Sequence, residues 1–363
     1  MKYRKLGNSG MYISEIGFGS LFYGGAQWNA TDNPVSREEA LICLKKAWEG
    51  GINHIDCADI YGGFGPAEKI IGEFIKDYDR TDFVFASKVF FPMSSSSNDR
   101  GLSKKHISEA IDKTLKRMNI EYLDLYYCHR YDYSTPLEET VRAMNDLIDE
   151  GKILYWGTSN WFASQLERAW GIAKNLDLRG PVCDQAKYNL VMRFSAEYEL
   201  PYTAEYTGIG IVAYKVLADG LFTSKYEGKK LEELSDRQIK SILRYIGDED
   251  LKPQDSKFKK ILKLSQIAQE LDITLAQLAY AWVLSNPLVN SALMGTRHPE
   301  RIDENLGALE ISLTKQILVQ IDEILDNRPF DLIQNGYMGE DYAFYKERIK
   351  TDPRAKYGKY PFD

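Results

Sequence analysis

The strongest constraint on the fold is a repeated alternation of short apolar strands with amphipathic helices. The first half contains EIGFGS, NHIDCA, FVFASKV and YLDLYYCH, and helical periodicity follows each segment. The second half continues with ILYWGTS, PVCDQAKY, GIGIVAYK and VNSALMG. Eight strand-plus-helix units predict an α/β fold in which parallel strands close into a (β/α)8 TIM barrel. An open doubly wound sheet is the alternative, but the glycine-rich dinucleotide fingerprint of that fold is missing from the sequence.

Three segments do not fit the simple repeat. Residues 1–14 predict an N-terminal β-hairpin about the turn GNSG, ahead of the barrel at 15–326. A charged excursion at 224–257 follows the seventh strand, with a helical middle from Asp236 to Tyr245. Residues 327–363 form a C-terminal extension, so we predict a single domain over 1–363. Three helix starts have capping-box patterns, at Ser36 with Glu39, Thr135 with Glu138, and Thr274 with Gln277.

Composition limits the partners and the compartment. A net charge of −7 disfavours nucleic-acid and anionic-membrane surfaces. No run reaches the roughly eighteen apolar residues of a membrane span, and the start MKYRKLGNSG lacks the apolar core of a signal peptide, so we expect a cytoplasmic protein. The four cysteines have no CxxC spacing, which predicts buried thiols rather than a disulfide framework or a metal site.

Polar side chains stand at three successive strand ends. Asp56 and Tyr61 follow the second strand, Lys88 ends the third, and His129 ends the fourth. In a barrel these ends meet at one face. A phenol titrates near ~10 on its own, and a neighbouring ammonium is expected to lower that value. Each residue alone is more often an ordinary salt-bridge partner, but together they predict a proton-handling site.

The order of these four residues resembles the catalytic tetrad of the aldo-keto reductase superfamily. The segments HRYDYSTPLEET, GTSNW, AYKVLADGLFTSKY and MGTRHPERIDENLGAL resemble the branch that holds potassium-channel β-subunits and bacterial sugar and aldehyde reductases. The resemblance runs from about Tyr3 to Asp326. It implies reduction of an aldehyde or ketone by hydride from NADPH, with Tyr61 as general acid. Lys88, held by Asp56, would lower the pKa of Tyr61, and His129 would orient the carbonyl.

The resemblance also implies a cofactor site. Ser159, Asn160 and Gln185 would hold the nicotinamide carboxamide, and Tyr214 would stack on the ring. The remaining cofactor-binding residues implied are Lys215, Leu217, Gly295, Arg297, Arg301, Glu304 and Asn305. The cations of the last segment resemble a 2′-phosphate site, which favours NADP over NAD.

Two positions depart from the family pattern. Relatives usually have Ser-Pro where this chain has Lys215 and Val216, so Lys215 is expected to supply a charge contact instead. Arg301 replaces a usual Gln and would either bind phosphate or pair with Glu304.

The substrate pocket is less well defined. The residues Tyr23, Trp28, Phe90, Tyr131 and Trp161 are expected to form an aromatic wall, although loop packing explains each equally well. Arg130 would pair with Asp132 or contact an anionic substrate. In the family, a C-terminal extension can close over the pocket; a surface wrap or an oligomer contact is the other interpretation.

Two other functions compete with a reductase. A metal-dependent hydrolase using His54, Asp56 and His129 is disfavoured, because Lys88 would repel a cation. The second alternative function is that of a regulatory subunit with slow turnover, like the channel β-subunits, and the sequence does not exclude it. The partner expected for a reductase is a small-molecule carbonyl substrate.

Overall fold

Eight parallel strands close into a barrel, as predicted. The computed structural model describes residues 1–25, 35–226, 233–246 and 257–329. The chain begins with a hairpin of β1 (Tyr3–Lys5) and β2 (Tyr12–Ser14). The barrel strands are β3 (Ile16–Gly19), β4 (His54–Asp56), β5 (Val84–Val89), β6 (Leu123–Cys128), β7 (Ile153–Ser159), β8 (Cys183–Lys187), β9 (Gly210–Tyr214) and β10 (Val289–Met294). Neighbours pair in chain order, and β10 closes the ring on β3 through Ala292 and Ile16.

Helices surround the barrel. They are α1 (Arg37–Glu49), α2 (Tyr61–Phe64), α3 (Pro66–Phe74), α4 (Lys104–Met118), α5 (Leu137–Asp149), α6 (Ala163–Asn175), α7 (Leu200–Thr207), α8 (Asp236–Ile246), α9 (Lys257–Glu270), α10 (Leu275–Ser285), α11 (Glu300–Leu306) and α12 (Lys315–Leu325). Apolar faces of these helices pack on the outside of the strands, which are buried on both faces.

Two of the three predicted capping boxes are confirmed. The hydroxyl oxygens of Ser36 and Thr274 each accept a hydrogen bond from the backbone N–H three residues on. In return, a side-chain oxygen of Glu39 and of Gln277 accepts from the backbone N–H of the cap residue. The prediction at Thr135 is wrong, because its hydroxyl donates to Asp132 Oδ2 at 2.8 Å. Helix α5 begins behind Pro136 without a side-chain cap.

The N-terminal hairpin seals the bottom of the barrel, at the N-terminal ends of the strands. The guanidinium of Arg4 donates to the carbonyl oxygens of Val289 at 2.6 Å and Leu284 at 3.0 Å. Gly7 turns with φ +48°, and a Cβ there would lie 2.3 Å from the carbonyl oxygen of Val182. Glycine is therefore required for the hairpin to approach the barrel this closely.

The excursion after β9 contains a helix, as predicted. Helix α8 spans Asp236–Ile246, one residue longer than expected, and Tyr245 Oη donates to Asp219 Oδ2 at 2.7 Å. The predictions for Trp28, for 227–232 and 247–256 of the excursion, and for the extension beyond residue 329 lie outside the described residues. Within the described ranges, no helix has the length and apolar character needed to span a bilayer. All four cysteines are buried and free.

Candidate functional site

Lys88 lies at the centre of a buried hydrogen-bond network at the C-terminal end of the barrel. Its Nζ donates to Asp56 Oδ2 at 2.6 Å and to the carbonyl oxygen of Cys57 at 2.6 Å. It lies 3.3 Å from Tyr61 Oη. Adjacent parallel strands β4 and β5 bring the carboxylate and the ammonium together, because their C-terminal ends are neighbours in the barrel.

Glycines position the Tyr61 ring. The short helix α2 contains Gly62 at φ 74° and Gly63 at φ 80°, both in the left-handed region. A Cβ at Gly62 would lie 2.4 Å from the carbonyl oxygen of Tyr23. A side chain there would push the loop out, so the sequence YGG is what lets Tyr61 turn toward Lys88.

Tyr61 keeps its proton at neutral pH. Burial, together with the carboxylate of Asp56, raises the pKa of Tyr61 well above its usual value. The net direction is opposite to the lowering that was expected from Lys88. The physical reason is that burial disfavours the phenolate more than the neighbouring positive charge of Arg130 favours it. Tyr61 is therefore a phenol that can donate a hydrogen bond or a proton.

His129 faces Tyr61 as a neutral imidazole. Their ring centroids are 6.0 Å apart. Burial and the nearby charges of Lys88 and Arg130 lower the pKa of His129 well below its ordinary value. Nδ1 is buried and has no hydrogen-bond partner among the described residues. A buried N–H without an acceptor is rarer and costs more free energy than a buried unprotonated nitrogen without a donor. We therefore assign the proton of the neutral imidazole to Nε2.

The ends of β7, β8 and β9 add a polar network. Gln185 Nε2 donates to Asp56 Oδ1 at 2.7 Å, which links this network to the lysine. Asn160 Nδ2 donates to Ser159 Oγ at 3.0 Å, and Tyr214 Oη donates to Asn160 Oδ1 at 3.1 Å. The structure therefore brings together these four sequence-predicted residues.

Asp184 supports this network from behind, a role that the sequence analysis missed. Its Oδ1 accepts from Thr158 Oγ1 at 2.7 Å and from the backbone N–H of Trp161 at 3.3 Å. These bonds flank Asn160, whose φ of 54° is left-handed. Burial raises the pKa of Asp184 to about 6. The period-two alternation of β8 was the available signal, because Asp184 must point away from the face of Gln185.

A cavity of about 1630 Å³ opens above these residues. Lys88 lies beneath its floor, and Asn160 reaches it through Ser159 and Tyr214. The predicted residues that line it are Asp56, Tyr61, His129, Arg130, Ser159, Gln185, Tyr214, Lys215, Leu217, Gly295, Arg297, Arg301, Glu304 and Asn305.

The cations at the two departures from the family pattern are both paired. Arg301 forms an ion pair with Glu304, and Lys215 pairs with Asp219. Arg297 differs from them: it is half-buried, lines the cavity, and has no ion pair among the described residues. Its charge is therefore available to a ligand.

The four described members of the predicted aromatic wall, Tyr23, Phe90, Tyr131 and Trp161, do not line the cavity. Tyr23 is buried and donates to the carbonyl oxygen of Thr296 at 3.4 Å. Trp161 is buried against Tyr131, with ring centroids 4.8 Å apart. Phe90 packs against the core. These side chains turn inward because that burial removes more apolar surface from water than the polar cavity would.

Phe91, one residue beyond Phe90, lines the cavity instead. Its ring centroid lies 4.9 Å from that of His129. Lys187 is a second lining residue that the sequence analysis missed. Its position two residues after Gln185, on the same face of β8, was the signal.

Arg130 lines the cavity and does not bond to Asp132. Asp132 instead accepts from Ser134, Thr135 and the backbone of Leu102. The expectation of an Arg130–Asp132 pair is therefore wrong, because local turn donors already satisfy that carboxylate.

In the part of the chain that the structure describes, no three His, Cys, Asp or Glu side chains gather as a metal site. His54 points into the barrel, where its Nδ1 is 3.3 Å from Ser291 Oγ. Burial lowers the pKa of His54 to about 4, so it stays neutral.

Comparisons with known proteins agree with this geometry. A profile of the aldo/keto reductase family matches residues 20–326. A probable voltage-gated potassium channel subunit beta of Arabidopsis thaliana is 39% identical, over 91% of this chain and 98% of that protein. The rice counterpart is 38% identical over the same shares, and a putative subunit of Schizosaccharomyces pombe is 37% identical over 91% and 95%. The chain belongs to the aldo/keto reductase family.

Proposed function

We propose that the protein is an NADPH-dependent reductase that converts aldehydes or ketones to alcohols. The observation that carries this proposal is the position of Lys88 Nζ, 2.6 Å from Asp56 Oδ2 and 3.3 Å from Tyr61 Oη, beneath an open cavity. A buried ammonium beside a protonated phenol is suited to stabilise the charge that develops when the phenol gives up its proton.

The residues around the cavity fit a nicotinamide cofactor, which members of this family generally bind. Ser159, Asn160 and Gln185 offer the donors and acceptors that a carboxamide needs, and Tyr214 offers an aromatic face. Bound there, the cofactor would supply the hydride. Lys215, Leu217, Gly295, Glu304 and Asn305 would complete its site.

The guanidinium of Arg297, which has no ion pair in the described part of the chain, supports NADP(H) rather than NAD(H). A half-buried Arg that forms no ion pair within the described ranges, with Glu39 acting on it only from a distance, suits a 2′-phosphate, because Arg binds phosphate through charge-assisted bonds. Arg301 is engaged by Glu304 and is the weaker candidate for that contact.

Two side chains would act on the carbonyl oxygen. His129 would donate from Nε2–H and polarise the carbonyl. Tyr61 Oη would then deliver its proton to the forming alkoxide. The resulting phenolate would lie beside Lys88, and Asp56 with the carbonyl of Cys57 would keep that ammonium in place.

The test is NADPH consumption by the purified protein, in parallel with NADH, across aldehydes, ketones, dicarbonyls and sugars. Rapid turnover that prefers NADPH is the expected result. Tight NADPH binding without turnover on any substrate would refute the enzymatic proposal. Fractionation of cells and size-exclusion chromatography test the accompanying proposals of a cytoplasmic location and a homo-oligomer.

A cofactor-binding channel subunit is the second candidate. The observation that favours it is the similarity to three proteins named as potassium channel beta subunits, which extends over 91% of this chain. Co-purification of a membrane channel with the tagged protein from its own cells, together with slow turnover, is the result expected for that function.

A further inference from the structure

Arg130, beside His129, has no ion pair among the described residues, and only the buried carboxylate of Asp184 is seen to act on it from a distance. Its Nη1 donates to the backbone carbonyl of His129 and lies 3.4 Å from Ser159 Oγ. The guanidinium carbon is 5.6 Å from the centroid of Phe91. Both bonded oxygens are neutral, and no carboxylate among the described residues pairs with this guanidinium. The remaining N–H groups of Arg130 are available to a ligand.

Lys187 is a second such cation in the same cavity. Strand alternation places it on the face of Gln185, and its backbone N–H donates to Asn160 Oδ1 at 3.3 Å. Its ammonium has no hydrogen bond or ion pair within the described ranges. Burial and the charge of Lys215 lower the pKa of Lys187. Asp219, which acts on Lys187 from a distance, is already bound by Lys215.

Two unpaired cations that face one cavity are unfavourable unless an anion joins them. The cofactor phosphate does not explain Arg130, because Arg130 and Arg297 lie across the barrel. Arg130 follows β6 and Arg297 follows β10, and the closed strand order places these strands on opposite sides. Arg130 instead adjoins His129, beside the proposed reacting carbonyl.

We propose that Arg130 and Lys187 form an anion subsite, so that the carbonyl substrates carry a carboxylate or phosphate group. This inference rests on the proposed reductase function for the identity of the ligand as a carbonyl compound. The planar guanidinium of an arginine and the ammonium on the flexible side chain of a lysine commonly bind such a group together. Binding of the anionic group at this position would orient the carbonyl toward Tyr61 and His129.

The kinetic test compares para-carboxybenzaldehyde with para-carbamoylbenzaldehyde, which has nearly the same size and no charge. The quantity measured is the ratio of kcat/KM for the charged aldehyde to that for the neutral one, with NADPH. Arg130→Gln and Lys187→Gln should each lower this ratio about 10- to 100-fold, the effect of one charge-assisted bond. Arg130→Lys should retain part of it, because the charge is kept.

The matched controls are Lys105→Gln and Arg142→Gln, which remove one charge each from exposed ion pairs on the outer helices. They should leave the ratio unchanged. An unchanged ratio in the Arg130 and Lys187 variants would overturn the subsite. So would an equal loss for both aldehydes that accompanies weaker NADPH binding, because the two cations would then serve the cofactor.

A binding measurement separates this inference from the reductase proposal. Calorimetry would compare para-(hydroxymethyl)benzoate with para-(hydroxymethyl)benzamide on the full chain loaded with NADP⁺. Preferential binding of the benzoate, lost in Arg130→Gln, supports the subsite even if no aldehyde is reduced. Reduction of neutral aldehydes without any preference for the benzoate would overturn the subsite and leave the reductase standing.

Discussion

Removal of the Lys88 ammonium is expected to destabilise the fold far more than loss of an ordinary surface salt bridge. The two side chains of the pair are 0% and 3% exposed. Lys88→Met keeps the length of the side chain but leaves the Asp56 carboxylate buried, with Gln185 Nε2 as its described side-chain donor. Breaking one partner out of such a pair costs about 3–5 kcal/mol in the free energy of unfolding.

A double-variant cycle separates charge from packing. Asp56→Asn combined with Lys88→Met removes both charges, so no buried ion remains unpaired. The double variant should therefore be more stable than the sum of the single losses predicts, by about 1–3 kcal/mol. Urea denaturation at neutral pH, with the slope of the transition checked for each variant, measures these free energies.

Lys105→Met is the matched control, because the Lys105–Glu109 pair is 56% and 47% exposed. An exposed pair of this spacing contributes about 0.3–0.5 kcal/mol. Strict additivity of the Asp56 and Lys88 variants, or a Lys88→Met loss no larger than that of the control, would refute the reasoning. Either result would mean that the buried ammonium and carboxylate do not stabilise each other.

Three further predictions concern the proton, the phosphate and pH. Tyr61→Phe should slow carbonyl reduction by about 100-fold or more, the usual contribution of a general acid, while the NADPH dissociation constant from fluorescence stays nearly unchanged; equal losses in both would contradict the assigned role. Arg297→Gln should reduce the NADPH-to-NADH ratio of kcat/KM by about 10- to 100-fold, and an unaltered ratio would locate the 2′-phosphate elsewhere. The pKa of Asp184 is raised to about 6, so its stabilising contribution is present below the unfolded value of ~3.9 and is lost as pH rises through the folded value. Asp184→Asn lacks that loss, and its stability relative to the parent should rise by about 2 kcal/mol between pH ~4 and pH ~7 in urea titrations; a difference that does not vary with pH would show that Asp184 is not titrating.

The barrel and the buried pair were predictable because they depend on local patterns. Strands buried on both faces read as continuous apolar runs, and each of the eight falls where the sequence placed it. Parallel strands carry their C-terminal residues to one end, so Asp56 and Lys88 had to meet once the barrel was assumed.

The errors have a common physical origin in competition between partners. Thr135 has the pattern of a helix cap, but Asp132 lies closer to its hydroxyl. The pKa of Tyr61 depends first on its burial and then on the charge of Asp56, and the spacing of residues along the chain does not reveal how deeply the ring is buried. Phe90 and Phe91 are adjacent residues of one type, and only the direction of the loop decides which of them reaches the cavity.

The hairpin at the bottom of the barrel excludes water from the interior below the proposed active site. Leu6 and Ile13 belong to the same apolar cluster as Tyr127, whose ring centroid is 5.7 Å from Lys88 Nζ. Water admitted from below would raise the local dielectric constant and weaken every charge interaction of that ammonium. The first fourteen residues, which contact none of the proposed reacting groups, thus keep the proton-handling site dry from behind.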